Sequence, residues 1–220
     1  MVNINDFKLY TEYLSNKVQT GNTLTIPQFN QLCYQSVMQK FEGDYQTFLA
    51  TEEISEFLRI YLKNTPVMVP LTGEINYPSD YQHVMSLRKY FVNLKGVGRM
   101  IQVEEIKNTA WGFIQMSSLS EPTLRFPKYS EFDGIIRFLP KNIGIIEIDY
   151  IKTPDVPVWG YTTVSGRPVY DASTSTNLEF QSYSTNSIAA IFLSLVGVNL
   201  KDSELEGFAQ QYMKETKSLL

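Results

Sequence analysis

Histidine and cysteine are nearly missing from this 220-residue chain, each occurring once, as His83 and Cys33. A lone cysteine can form no internal disulfide and no cysteine-based zinc site. Any triad or metal centre that needs an imidazole must use His83. Charge is sparse as well: 19% of residues are charged, with 19 basic against 23 acidic, for a net charge of −4. Phosphate-gripping proteins rely on an excess of Lys and Arg, so this balance argues against tight nucleic-acid binding, although not against DNA passing nearby. Long apolar runs are absent too. The longest, Ile188 to Val198, falls well short of the roughly 20 residues that a membrane-spanning helix needs, and reads as a core helix. The opening MVNINDFKLY has neither the basic start nor the apolar stretch of a signal peptide, so a chain made and kept in a reducing cytoplasm is expected.

What the chain does have is aromatic residues. Hydrophobic residues make up 43% and aromatics 13%, with 14 Tyr and 13 Phe against 12 Gly, 10 Pro and only two Trp. Such a composition supports a real core and excludes wholesale disorder. The length suits one generous domain, or one core with an appended element.

Helical periodicity opens the chain, with Ile4, Phe7, Tyr10, Leu14 and Val18 along one face until Gly21-Asn22. A second helix is expected from Thr25, where Thr-x-x-Gln forms a capping box with Gln28 and Pro27 sits harmlessly in the first turn. Its apolar stripe is Phe29, Leu32, Cys33, Met38 and Phe41. A third helix is expected after Thr51, with Glu52 and Glu53 at its positive end. It would bury Ile54, Phe57, Leu58, Tyr61 and Leu62 and end at Asn64-Thr65-Pro66.

The period then shifts to two. Ile101–Glu104 and Ile146–Tyr150 alternate, and short runs at 84–92, 123–126 and 135–139 lie between turn signals. The strands of GIIRFLP and IGIIEIDYI are expected to pair as a hairpin around Pro140-Lys141-Asn142. A short helix carrying Trp111 is expected over 108–116. The stretch 153–183 is proline-punctuated, turns at Ser165-Gly166, and carries Trp159, Tyr161, Tyr170 and Phe180. Helices return at Ile188, Ile191, Phe192 and Leu195, stopped by Gly197, and from an N-cap at Asp202 through Leu205, Phe208, Ala209, Tyr212 and Met213. The expected fold class is α+β. Residues 1–65 and 184–220 would form a helical bundle, 66–152 a central antiparallel β region and 153–183 an extended β arm, all in one structural unit.

No assembled catalytic set emerges, and neither a metal site nor a cofactor site is expected. Asp80 could orient His83 beside Ser79, but no Gly-x-Ser-x-Gly elbow presents a nucleophile, so a capped turn with His83 on a strand edge is the better reading. Glu147 and Asp149 share one face of a strand, the spacing of a glycosidase pair, yet an ion-pair ladder with Arg137 is the commoner outcome. Lys95-Gly96-Val97-Gly98-Arg99 lacks the phosphate-loop pattern and reads as a hairpin loop. Cys33 reads as a small core residue. The arm, by contrast, offers contact residues: Trp159, Tyr161, Arg167 and Tyr170 stand on backbone that makes no core of its own. They either fold back over the sheet or cross to a neighbouring subunit.

In order along the chain, TLTIPQFNQLCYQSVMQKFE, INYPSDYQHVMSLRKY, VEEIKNTAWGFIQMSSLSEPTLRFPKY, IIRFLPKNIGIIEIDYIKTPDVPVWGYTTVSGRPVYD and IAAIFLSLVGVNLKDSELEGFAQQYM resemble the head-to-tail connector, or tail adaptor, proteins of short-tailed bacteriophages, in particular the ring proteins of crAss-like phages. The resemblance implies a virion structural subunit with no catalytic residues. It implies a homo-oligomeric ring, commonly of twelve copies, docked under a portal protein and against further tail or ring proteins. That ring encloses the channel through which DNA leaves, and the subunit occupies the host cytoplasm during assembly. Trp159, Tyr161, Arg167, Tyr170 and Phe180 are then the expected subunit contacts. Deleting 155–180 is expected to leave a folded chain that no longer assembles. The alternatives are a carbohydrate-binding module with Trp111, Trp159 and Tyr161 as a stacking platform, and a small hydrolase built on Asp80 and His83.

Overall fold

A computed structural model describes residues 1–15, 24–92, 98–116, 121–200 and 203–218. Its helices are α1 (Ile4–Ser15), α2 (Ile26–Thr51), α3 (Glu56–Arg59), α4 (Asn108–Met116), α5 (Thr185–Leu200) and α6 (Ser203–Ser218). Its strands are β1 (Leu62–Met68), β2 (Glu74–Asn76), β3 (Tyr81–Val92), β4 (Gly98–Gln102), β5 (Glu104–Glu105), β6 (Lys128–Phe132), β7 (Ile135–Leu139), β8 (Ile145–Lys152), β9 (Tyr161–Val164) and β10 (Arg167–Tyr170). The fold is α+β. The chain divides into two compact units, residues 1–60 with 154–220 and residues 61–153.

In the first unit, α1 starts where the Asn3 side chain accepts the Asn5 backbone N–H at 2.8 Å, satisfying an otherwise orphan donor. At the head of α2 the Thr25 backbone N–H donates to Gln28 Oε1 at 3.0 Å, as the Thr-x-x-Gln spacing predicts. The buried stripe of α2 is Phe29, Leu32, Cys33, Val37 and Phe41. α5 buries Ile188, Ala189, Ala190, Phe192, Leu193 and Val196, a wide share of its circumference that befits a helix packed against α1, α2 and α6. The aromatic stripes converge. Phe7 meets Phe180 edge-on at 6.2 Å and Phe192 at 5.8 Å, while Phe29 meets Phe192 at 5.4 Å.

The second unit holds two four-stranded sheets, ordered β1-β8-β3-β4 and β2-β7-β6-β5. They pack on one core of Ile75, Leu87, Tyr129, Ile136, Phe138, Ile146, Ile148 and Tyr150 among others. The chain enters and leaves this unit through neighbouring strands, with Leu62 opposite Ile151.

Several expectations are corrected. Thr51 ends α2 instead of starting a helix, and Glu52 caps it at φ +59°. The next helix is the short α3, capped by Ser55, whose hydroxyl accepts the Leu58 N–H at 3.2 Å. Asn64-Thr65-Pro66 lies inside β1, which is an edge strand, the one place in a sheet where proline is tolerated.

β7 and β8 do not pair with each other. β7 lies between β2 and β6, β8 between β1 and β3, and 140–144 carries the chain from one sheet to the other. The tight hairpin is β6–β7, turning at Asp133-Gly134 with φ of +51° and +75°, the type I′ geometry that Asp-Gly favours. The β region is not wholly antiparallel, because β5 runs parallel to β6 through the α4 crossover. Residues 123–126 form a tight turn closed by a Thr123–Phe126 bridge, not a strand. Gly197 does not stop α5, since glycine inside a well-packed helix costs only about 1 kcal/mol. Val18, Gly21-Asn22, Lys95–Val97 and Asp202 lie outside the described residues.

Truncating Phe180 tests the convergence of the aromatic stripes. Phe180→Ala removes the ring on which Phe7 and Phe57 lean and is expected to cost about 3–5 kcal/mol, read as a lowered urea midpoint.

Candidate interaction surface

The hairpin β9–β10 is built by local chemistry. Ser165 and Gly166 have φ of +51° and +77°, a type I′ turn whose twist matches the flanking strands. Val164 stands opposite Arg167, Thr162 opposite Val169 and Tyr161 opposite Tyr170. Gly160 carbonyl accepts the Asp171 N–H at 3.0 Å. Bonded pairs therefore alternate as 160/171, 162/169 and 164/167, and the Thr163–Pro168 pair directs its backbone polar groups outward. Pro168 thus lacks an N–H only where the ladder needs none. Gly160 is required at the base, because a Cβ there would come within 2.6 Å of the Thr174 backbone.

Only part of the expected arm projects. Val158 bonds with Thr176, and Val2 bonds with Leu178. Trp159 is 6% exposed. Its indole N–H donates to Asn5 Oδ1 at 3.0 Å, its backbone N–H donates to Asn30 Oδ1 at 2.8 Å, and Lys8 Nζ stands 5.2 Å from the ring centre. Phe180 is fully buried. These two predicted contact residues are therefore core of the first unit, because α1, α2 and α5 supply the apolar cover that the segment lacks by itself. Trp159 also offers no free face to a sugar ring. Deleting 155–180 would remove core and not merely an arm.

Tyr161 and Arg167 remain exposed and Tyr170 half-buried, with Trp159 lying 6.1 Å from the Tyr161 ring and 5.7 Å from Tyr170. The structure adds Val164 and Val169, which with Tyr161 are 47–56% exposed. Their sequence signal is the two-residue Ser-Gly turn, which sets the strands on either side to pair as a hairpin.

A second surface is the outer face of the sheet β1-β8-β3-β4. Asp149 accepts from Asn64 Nδ2 at 2.6 Å and Ser86 Oγ at 2.5 Å, and Arg88 Nη2 lies 2.8 Å away. Arg88 also reaches Glu147 at 3.5 Å. Burial alone would raise the Asp149 pKa, but these three donors prevail and hold it below the usual carboxylate range. The expected ladder thus exists with Arg88 as its cation. Arg137, the expected partner, sits in the other sheet and pairs with Glu74 at 3.3 Å.

One pleat further along, the same face turns apolar. Met68 is opposite Ile145, and Tyr90 is opposite Met100. Continuing the Lys89–Ile146 register by one residue sets Tyr90 beside Ile145. Met68, Ile145, Tyr90 and Met100 form a row across all four strands, each 42–66% exposed. Gly98 permits it, since a Cβ there would strike the Tyr90 phenol.

Asp80 gives its carboxylate oxygens to Lys63 and to Tyr150, the latter at 2.9 Å. The Lys63 bond leads in lowering its pKa. His83 lies on β3 opposite Ile151. Cys33 is buried, which pushes its thiol pKa well up. Tyr10, by burial and by its 2.9 Å contact with the Tyr212 hydroxyl, is pushed up to about 12. Trp111 is half-buried on α4 in the second unit. Among the described residues, no three His, Cys, Asp or Glu side chains gather to hold a metal ion, and no helix is long and apolar enough to cross a membrane. No protein-family model and no curated protein matches the chain.

Asp149→Asn isolates the ladder. The variant is expected to lose about 1–3 kcal/mol near neutral pH. A carboxylate with a lowered folded pKa stabilises above its unfolded value of about 3.9 and loses that contribution as pH falls through the folded one. The gap between the two proteins should therefore narrow below about pH 4 and close in stronger acid, as urea melts carried from about pH 7 down to about pH 2 would show.

Proposed function

We propose that this chain is a structural subunit of a homo-oligomeric ring of the head-to-tail connector kind, joining a portal to further ring or tail proteins around a DNA channel in a virion. The observation that carries the reading is the β9–β10 hairpin. A two-stranded ribbon is marginal in water on its own, yet this one leaves Tyr161, Val164 and Val169 uncovered. Tyrosine and apolar residues on a pre-shaped ribbon make good contact material, because little side-chain entropy is lost on docking.

The segmental resemblance to connector proteins supplies the kind of assembly, including a ring of twelve copies. The net charge of −4 fits a wall past which phosphates slide without being gripped. A contact between two different patches repeats from copy to copy and closes into a ring when its rotation divides the circle.

Trimming must spare Trp159 and Phe180, so the test uses Tyr161→Ser, Val164→Ser and Val169→Ser together. All three side chains are exposed and lie outside the core, so the circular dichroism spectrum should be unchanged and the melting temperature should hold within a few degrees. Light scattering after size exclusion should give a multiple of the chain mass for the wild type and a monomer for the variant. A wild type that stays monomeric at high concentration, or a variant that assembles like it, contradicts the proposal.

A further inference from the structure

We propose that the β9–β10 hairpin of one copy lies across the outer face of the β1-β8-β3-β4 sheet of a second copy. This rests on the reading that the chain oligomerises and names the two surfaces that meet. Each is incomplete alone. The apolar row Met68–Ile145–Tyr90–Met100 exposes four large side chains together, the kind of contiguous patch that marks an interaction site. Its two methionines are flexible enough to mould to an incoming surface. The hairpin has two faces. Tyr161, Thr163, Pro168 and Tyr170 share the Trp159 side, and Thr162, Val164, Arg167 and Val169 share the other.

Charge selects the occupant. Arg167 is the hairpin's one charged residue. On the sheet, Glu147 and Asp149 share the single guanidinium of Arg88, so the ladder keeps an excess negative charge one pleat away from the apolar row.

Spacing agrees with charge. Arg167 and Val169 are two residues apart on one face of β10, as Glu147 and Ile145 are on β8. Both steps span about 6.8 Å. A single placement therefore sets Val169 on the apolar row and Arg167 over Glu147. The donor is a hairpin and the acceptor a sheet face, so each copy gives one surface and receives the other, which is the heterologous contact that rings require.

Packed sheets stand about 10 Å apart, beyond the Cα separation that a disulfide spans, so a short bismaleimide is the suitable probe. Full-length chains carrying only Ile145→Cys are mixed with differently tagged chains carrying only Val169→Cys; the native Cys33 is buried. The mixed dimer is expected to exceed either homodimer several-fold. In parallel, Arg167→Glu should weaken self-association at least tenfold, and adding Glu147→Lys in the same chain should restore it. If the wild type oligomerises but the mixed cross-link shows no excess and Arg167→Glu assembles normally, this contact is wrong while the oligomer stands. If the wild type is monomeric throughout, the oligomer reading falls and this inference with it.

Discussion

The first unit depends on one aromatic cluster. Phe180 lies edge-on to Phe7 and near Phe57, and Phe7 and Phe29 both meet Phe192. These rings come from α1, α2, α3, α5 and the irregular segment before α5, so they join residues 1–60 to residues 154–220 in one core. Edge-to-face contacts add to a large area of apolar burial. They also decide which part of 154–183 is free. Trp159 and Phe180 anchor the segment's two ends, and the hairpin between them is what remains outside.

Periodicity made the local elements legible. The α4 boundaries match the expected 108–116, and Thr25 and Gln28 cap α2 as their spacing implies. The apolar side of β8 follows the alternation of Ile146, Ile148 and Tyr150. Pairing was harder to read. Pro140-Lys141-Asn142 looks like a hairpin turn, yet the strands on either side enter different sheets. A turn's residues report local dihedrals and say nothing about which partner a strand takes when two sheets share a core. Asp133-Gly134 was the better signal, because both residues must accept positive φ.

The contact residues divide along the same line. Composition marks Trp159 through Phe180 as aromatic-rich, but burial depends on what packs over a side chain. Here Asn5, Lys8 and Asn30 receive Trp159 from positions far away in sequence. Tyr161 and Arg167 lie beyond that cover and stay accessible. The apolar row was harder still to foresee, since Met68, Ile145, Tyr90 and Met100 each look ordinary until the strand register aligns them. The same register gathers Asn64, Ser86 and Arg88 around Asp149. One sheet face is thus divided between a polar ladder, in which Glu147 and Asp149 share Arg88, and an uncovered apolar strip.

Electron microscopy of the assembled particle bears most directly on the proposed role. A closed ring of this chain between portal and tail is expected, with the 161–170 hairpin of each copy seated on its neighbour. A particle in which the chain occurs as separated single copies, or in which the hairpins touch no other subunit, would contradict it.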